Sequence, residues 1–388
     1  MTSMSDFLRP NAELHQRHSS KWRRYAPDVM PMHVAEMDYE IAPSIKALLI
    51  DFVTRSDIGY LGPVPEVAEA FLGFASRHWN WQPDPKQIRI ATDVGVGTVE
   101  ILRAIAAPGE RVVINSPVYH SFYEWIAEAK LEVQDVPLIR GTETWNLDID
   151  GIRAAFESGA KYLLLCSPHN PLGRVHSRHE LAEIAELAKQ HGVVVISDEI
   201  HAPLTYPEQE FTPWLAVSDA AREVGVVVTA ASKSFNLAGL KASIIVTQHP
   251  SMVAKLSALP AALHWRSSIL GAFAMAEAFA GCDEWLATAV EHNQAARDHL
   301  TALMRNYLPD VPYWVPQGGY LAWLDLTGLV ASSAKLGDNP ALTILEEHKI
   351  SLVPGNDHGT AYGKFVRINF ATHLWNVEAT VKAIATYL

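Results

Sequence analysis

The spacing of hydrophobic and polar positions divides the chain into an aperiodic start, a long alternating middle and a mixed end. Over residues 1–45 no period holds. Pro27 and Pro31 interrupt the run, and residues 30–39 read as an extended stretch, so an arm is predicted rather than a packed unit. Helical spacing begins at Pro43, with Ile45, Leu48, Leu49 and Phe52 on one side of a helix predicted over 43–55. A second amphipathic helix is predicted over 65–79 from Val67, Ala68, Phe71, Leu72 and Phe74, after the break Asp57-Ile-Gly-Tyr-Leu-Gly-Pro63. A short strand follows at 87–92.

From there, apolar runs at 112–114, 162–166, 193–196, 226–228 and 243–246 have no polar face, as expected of strands covered on both sides. Helical stretches separate them, such as 179–191, which Gly192 closes where a left-handed residue ends a helix. Strands alternating with helices predict an α/β fold with a mostly parallel sheet. Beyond residue 282 a long helix over 283–307, strands at 320–326 and 365–369, a helix near 341–348 and a final helix from 377 describe a smaller α+β unit. The expected organisation is an arm forming part of the small domain at 1–45, a large domain at 46–282 and a small domain at 283–388.

Composition adds mainly exclusions. A net charge of −12 argues against nucleic-acid or anionic-membrane partners, which need basic fields. An anionic ligand would need a local pocket. Cys166 and Cys282 give neither a disulfide framework nor metal spacing, and the pairs His15/His18 and His176/His179 lack a third ligand in register, so no metal is expected. The N-terminal stretch lacks a signal-peptide apolar core, and no run approaches the ~18 apolar residues of a membrane span. A cytoplasmic location is expected.

The chemistry gathers at strand ends. After Val226-Val-Val-Thr come small residues and then Ser232-Lys233, just ahead of Asn236 and Gly239. An ammonium there must be desolvated or paired, which makes it a poor packing choice. As an amine it can hold an aldehyde as a Schiff base; the plain alternative is a lysine that snorkels to solvent. Gly95-Val-Gly97 does not complete a dinucleotide fingerprint, because Glu100 stands at the third glycine. With a helix expected from Val99, the N–H groups of Val96, Gly97 and Thr98 are candidates for binding one phosphate, against a simple N-cap. Tyr119, Asn170 and Asp198 each follow a buried strand, so with Lys233 they reach the sheet edge where open α/β sheets bind ligands.

Asn170-Pro-x-Gly173, Ser197-Asp-Glu, Ser232-Lys233 and Arg367 together resemble the fold-type I, aspartate-aminotransferase-like enzymes that use pyridoxal 5′-phosphate. The resemblance covers nearly the whole chain. Val34-Ala-Glu-Met-Asp-Tyr39, Gly59-Tyr60, Pro117-Val-Tyr119, Asp198-Glu-Ile-His201 and Ser232-Lys-Ser-Phe-Asn236 are similar to the cystathionine β-lyase or C–S lyase subgroup of MalY/PatB type. The resemblance implies that Lys233 carries the cofactor, Asp198 pairs with its pyridine nitrogen, Asn170 bonds its phenolic oxygen and Tyr119 stacks on its ring. It also implies phosphate contacts from Val96, Gly97, Thr98 and Lys241, and from Tyr60 of a neighbouring subunit, which makes the working unit a homodimer with sites at the interface, with Ser232 and His201 also at the cofactor. Arg367 would clamp the substrate α-carboxylate, with Ala35, Tyr119 and Asn170 beside the substrate.

His33 and Glu36 stand where the subgroup usually has Trp and Asp, and Ala230 where many members have Ser. His201 takes the place of a Tyr that contacts the phenolic oxygen in many aminotransferases, which favours the lyase branch. The implied reaction is α,β-elimination on a sulfur amino acid such as L-cystathionine, giving thiol, pyruvate and ammonia, with a place in methionine biosynthesis. The rivals are an aminotransferase, which shares these residues, and a non-catalytic regulator on the same fold.

Overall fold

Seven strands form the central sheet of the chain, described here by a computed structural model that covers residues 7–333 and 335–388. In chain order they are β1 (Ile88–Ala91), β2 (Arg111–Ile114), β3 (Glu132–Asp135), β4 (Tyr162–Cys166), β5 (Val194–Asp198), β6 (Gly225–Thr229) and β7 (Ser243–Val246). Their spatial order is β1-β7-β6-β5-β4-β2-β3. From β6 to β3 the neighbours are parallel, and β7 runs antiparallel to both β1 and β6. The apolar strand runs are explained by two cores. Val113, Leu163, Leu165, Val195 and Val227 point to one face and Val112, Leu164, Val194, Ile196 and Val226 to the other, so alternate side chains feed separate clusters.

Helices α1 (Pro43–Thr54) and α2 (Pro65–Trp79) form where the periodicity places them, each with proline in its first turn. Helix α3 (Val94–Ile105) packs on the second core, and α4 (Arg178–His191) on the first. Helix α4 opens on a Ser177/Glu180 capping box and closes on Gly192 at φ 65°. A buried apolar helix, α5 (Ile269–Gly281), has too little amphipathicity to be read from spacing and was not expected. Strand β3 was not expected either; it forms the outer edge of the sheet beside β2.

Helix α6 (Asp283–Tyr307) leads into a three-stranded antiparallel sheet of β8 (Leu321–Asp325), β9 (Val353–Pro354) and β10 (Phe365–Asn369), with β10 in the middle. The described part of the arm, from residue 7 onward, contains only short elements. Its segment Met30–Pro31 pairs in parallel with Ile350–Ser351, and Asn369 donates its backbone N–H to Met32 O at 2.8 Å, so the arm is tied to the small sheet. Residues 1–6 of the predicted arm lie outside the described residues. Among the described residues no helix is long and apolar enough to cross a membrane. Both cysteines are buried free thiols.

Candidate active site

Because β2, β4, β5 and β6 are parallel neighbours, their carboxyl ends share one edge, and the chain that follows each opens onto a cavity of about 750 Å³. Tyr119, Asn170, Asp198 and Lys233 line it. Arg367 enters from β10, where it pairs with Trp323 on one side and Val353 on the other. His33, Val34 and Ala35 of the arm also line the cavity. Three separate parts of the sequence therefore build one cleft.

Among the described residues, Asp198, Lys233 and Arg367 in this cleft form no ion pair with a side chain of opposite charge. Asp198 is buried, and its Oδ1 accepts a hydrogen bond from the Ile200 N–H at 3.1 Å, but no cationic side chain pairs with it among the described residues. Burial pushes its carboxyl up to about 7, against the opposing pull of the Ile200 N–H and of Lys233. Lys233 donates from Nζ to Ala35 O at 3.1 Å. Enclosure of the amine, seconded by the Arg367 charge, brings it down to about 8. Arg367 is buried and held by neutral acceptors: Nη1 donates to Asn170 Oδ1 at 3.1 Å and lies 3.3 Å from His358 Nε2, and Nη2 donates to His33 O at 2.9 Å. Its Nε has no partner among the described residues. Burial lowers it to about 10, which leaves it a cation near neutrality. A lone buried cation and a lone buried carboxylate suit a ligand that brings both opposite charges.

The helix that carries the phosphate candidates starts earlier than expected. Helix α3 begins at Val94 rather than Val99, so the Gly97 N–H is already bonded to Asp93 O at 2.9 Å and the Val96 N–H to Asp93 Oδ1 at 2.8 Å. Thr98 is fully buried, with its hydroxyl on Val94 O. Val94 and Gly95 occupy the first turn and line the cleft, whereas Val96, Gly97 and Thr98 do not. First-turn N–H groups have no partner within a helix, and of this stretch Val94 and Gly95 are the residues that combine that position with a place on the cleft. Gly95 suggests a loop in sequence, but the constraint is a close approach. A Cβ there would lie 2.8 Å from Trp125 Nε1.

Lys241 lines the cleft and forms an ion pair with Asp93 at 3.1 Å, so it offsets the carboxylate that caps α3 rather than standing free. Ser232 and His201 also line the cleft. His201 is buried with Nδ1 unpartnered among the described residues, and desolvation with the nearby Lys233 charge holds it down to about 3, so the ring is neutral. Tyr119 stands edge-on to Trp125 at 5.8 Å between ring centres. Tyr60 is not in the cleft; it is 89% exposed. Residues that sequence reasoning did not single out include Arg24, His120 and Asp357, which line the cavity, and His358, which sits on Arg367. None of them falls in a periodic run or a motif with a recognisable spacing, so nothing in the sequence marks them. Among the described residues no group of three or more His, Cys, Asp or Glu side chains is placed to hold a metal ion.

Comparison with known proteins gives consistent results. Residues 27–384 match the family model for aminotransferases of class I and II. A Mycobacterium leprae protein provisionally named cystathionine beta-lyase is 38% identical, with 93% of this chain and 92% of that protein covered. The cystathionine beta-lyase of Corynebacterium glutamicum is 31% identical over 97% of this chain and 98% of its own. A crystal structure from Corynebacterium diphtheriae, provisionally described as a PLP-dependent beta-cystathionase, superposes with a TM-score of 0.91 at 27% identity, covering 98% of both chains.

Proposed function

The chain belongs to the class I and II aminotransferase family, and within it we propose a pyridoxal 5′-phosphate-dependent carbon–sulfur β-lyase that converts L-cystathionine or a related cysteine S-conjugate to thiol, pyruvate and ammonia. The observation that carries this reading is Asp198, a buried carboxylate without a cationic side-chain partner among the described residues, in one cavity with the lowered amine of Lys233. A protonated pyridine nitrogen answers the carboxylate and an aldehyde answers the amine, so the residues present fit the cofactor. The relatives named as cystathionine β-lyases, together with His201, favour elimination over amino transfer.

Lys233 would hold the aldehyde, and Asp198 would keep a proton on the ring nitrogen. Asn170 gives its Oδ1 to Arg367, which leaves Nδ2 to donate to the ring's phenolic oxygen. The Val94 and Gly95 N–H groups and the Ser232 hydroxyl would hold the phosphate, with Lys241 neutralising Asp93 beside it. When bound, the cofactor supplies an electron sink conjugated to the substrate Cα. Arg367 holds the substrate α-carboxylate through its planar fork and fixes the Cα–H bond relative to Lys233. The Lys233 amine takes the Cα proton. An ordinary lysine near ~10.4 is almost fully protonated at neutral pH, whereas one at about 8 keeps a usable neutral fraction. The sulfur leaves Cβ with the bonding pair and is protonated to the thiol. Water then enters as ammonia and pyruvate depart.

The working unit is read as a cytoplasmic homodimer, with residues 46–282 forming the cofactor-holding domain and 283–388 plus the arm the smaller one. Exposed Ile50 and Val53 on α1, and Ile58 and Tyr60 just beyond it, support a partner surface there. The test is to incubate the loaded enzyme with L-cystathionine without any keto-acid acceptor, following pyruvate and thiol. Sustained pyruvate release is expected. Product that forms only when an amino acceptor is added would overturn the lyase reading, and borohydride labelling of a lysine other than Lys233 would overturn the cofactor assignment.

A further inference from the structure

Residues 33–38 of the arm, of which His33, Val34 and Ala35 line the cleft, form no strand. Their carbonyl groups are held by side chains instead. His33 O accepts from Arg367, and Val34 O and Glu36 O accept from Asn369 Nδ2 at 2.6 and 2.8 Å. Ala35 O accepts from Lys233 Nζ and from the Tyr320 hydroxyl, each at 3.1 Å. Met37 is gripped on both sides by Asn236, whose Oδ1 accepts from its N–H at 3.1 Å and whose Nδ2 donates to its O at 2.9 Å. Asn236 lies three residues beyond Lys233, just past the end of its short helix, and Asn369 lies on the same strand as Arg367. The segment is therefore keyed on one side to the lysine and on the other to the arginine.

One further contact enters from outside the cleft. Lys21 Nζ forms an ion pair with Asp38 Oδ1 at 2.8 Å, with the two side chains 0% and 1% exposed, and it also donates to Glu36 O at 3.1 Å. Burying two full charges costs their hydration, and apolar side chains would fill the same space without that cost. What the pair adds is a charge-held ammonium with a directional hydrogen bond to Glu36 O. We propose that Lys21, with Asp38, is a positioning residue that pins segment 33–38 and thereby sets the separation between the Lys233 amine and the Arg367 guanidinium. This rests on the reading of Lys233 as the catalytic amine and Arg367 as the carboxylate clamp. Both donate to carbonyls within the segment, so slack at Lys21 is transmitted to each.

The test compares Lys21→Arg, Lys21→Met, Asp38→Asn and the double variant Lys21→Met/Asp38→Asn as loaded enzymes. Readouts are melting temperature, kcat and KM for L-cystathionine, and the pH at which the bound cofactor's colour changes, which reports on Lys233 without turnover. Lys21→Met alone strands a buried carboxylate and Asp38→Asn alone a buried ammonium, so either can fail to fold; the double variant removes both charges. A displacement near 1 Å costs roughly 100-fold in rate, so the double variant is expected to load cofactor yet lose about 10- to 100-fold in kcat and shift the colour transition. Lys21→Arg should recover most of both. Wild-type kcat and an unmoved transition in the double variant, or in Asp38→Asn should the double not fold, would overturn the proposal and leave the pair a packing element. If the wild-type chain releases no pyruvate or labels elsewhere than Lys233, the functional reading itself fails, and this inference with it.

Discussion

Arg367 donates from Nη1 to the side-chain oxygen of Asn170 across 3.1 Å. The contact orients the amide, with its oxygen on the guanidinium and its Nδ2 hydrogens left for a ligand. Asn170→Asp should therefore do two things. It replaces a donor by an acceptor, and it sets a carboxylate against Arg367, which would compete with the substrate's own. Hydrogen bonds to charged groups are worth ~1.5–3 kcal/mol, so KM for L-cystathionine should rise roughly 10- to 100-fold. Steady-state kinetics at saturating cofactor measure this; an unchanged KM would show that Arg367 does not hold the substrate carboxylate.

Asp198 makes the cofactor-free protein sensitive to pH. Its carboxyl is raised from 3.8 in the open chain to about 7 in the fold, so the folded state binds the proton more tightly. Stability from this group is present below 3.8, is lost as pH rises toward 7, and stays lost above it. At about 1.4 kcal/mol per unit, the full loss is on the order of 4 kcal/mol. Asp198→Asn without cofactor should match the wild type in acid and exceed it in urea midpoint at pH 8, while binding the cofactor more weakly. Parallel pH profiles for the two proteins would sink this account.

Helix, strand and site differ in how far the sequence discloses them. The runs 162–166 and 243–246 read as buried strands and are strands at those residues, because both faces of the sheet are covered and nothing polar interrupts them. Tyr119, Asn170, Asp198 and Lys233 could be gathered because parallel strands bring their carboxyl ends to one edge. The start of α3 could not, since Gly95 and Gly97 suggest a loop; at Gly95 the actual constraint is Trp125 packing against the helix backbone. Lys21 was equally hidden. It lies in a polar stretch without periodicity, and its burial depends on Asp38 and Glu36, brought to it only by the folded arm.

Buried neutral histidines should make the fold acid-labile. His33 and His201 are lowered to about 3 and His169 to about 4, mainly by burial, against 6.5 in the open chain. A base lowered on folding contributes stability that is present above 6.5 and falls as pH drops toward the folded value. Each adds a slope of about 1.4 kcal/mol per pH unit in that window. Asp198 and Glu199, the latter raised to about 8, slope the other way and offset part of it. His176 and His358, both lowered well below 6.5, tip the balance further toward acid loss. Urea midpoints of the cofactor-free protein should drop steeply from pH 6.5 to 5, and His201→Gln should flatten the drop. A flat profile would mean that these rings take up protons without unfolding.

Tyr60 lies on a loop between α1 and α2, 89% exposed, with nothing within 4 Å of a Cβ built at Gly59 or Gly62. Two glycines allow the loop to extend from its own subunit, and an exposed tyrosine among exposed apolar residues is a poor solvent face. If Tyr60 supplies a hydroxyl to the neighbour's phosphate, Tyr60→Phe should weaken cofactor retention without lowering the melting temperature of the cofactor-free chain. Mixed dimers test whether it acts across the interface. Combining a Tyr60→Phe subunit with a Lys233→Ala subunit puts both lesions in one site if Tyr60 crosses, which leaves the other site intact. Hybrids should then retain cofactor and turn over at the intact site. If Tyr60 serves its own subunit, every site in the hybrid carries one lesion and mixing restores nothing, so equal loss in hybrids and in parent dimers would return Tyr60 to its own chain.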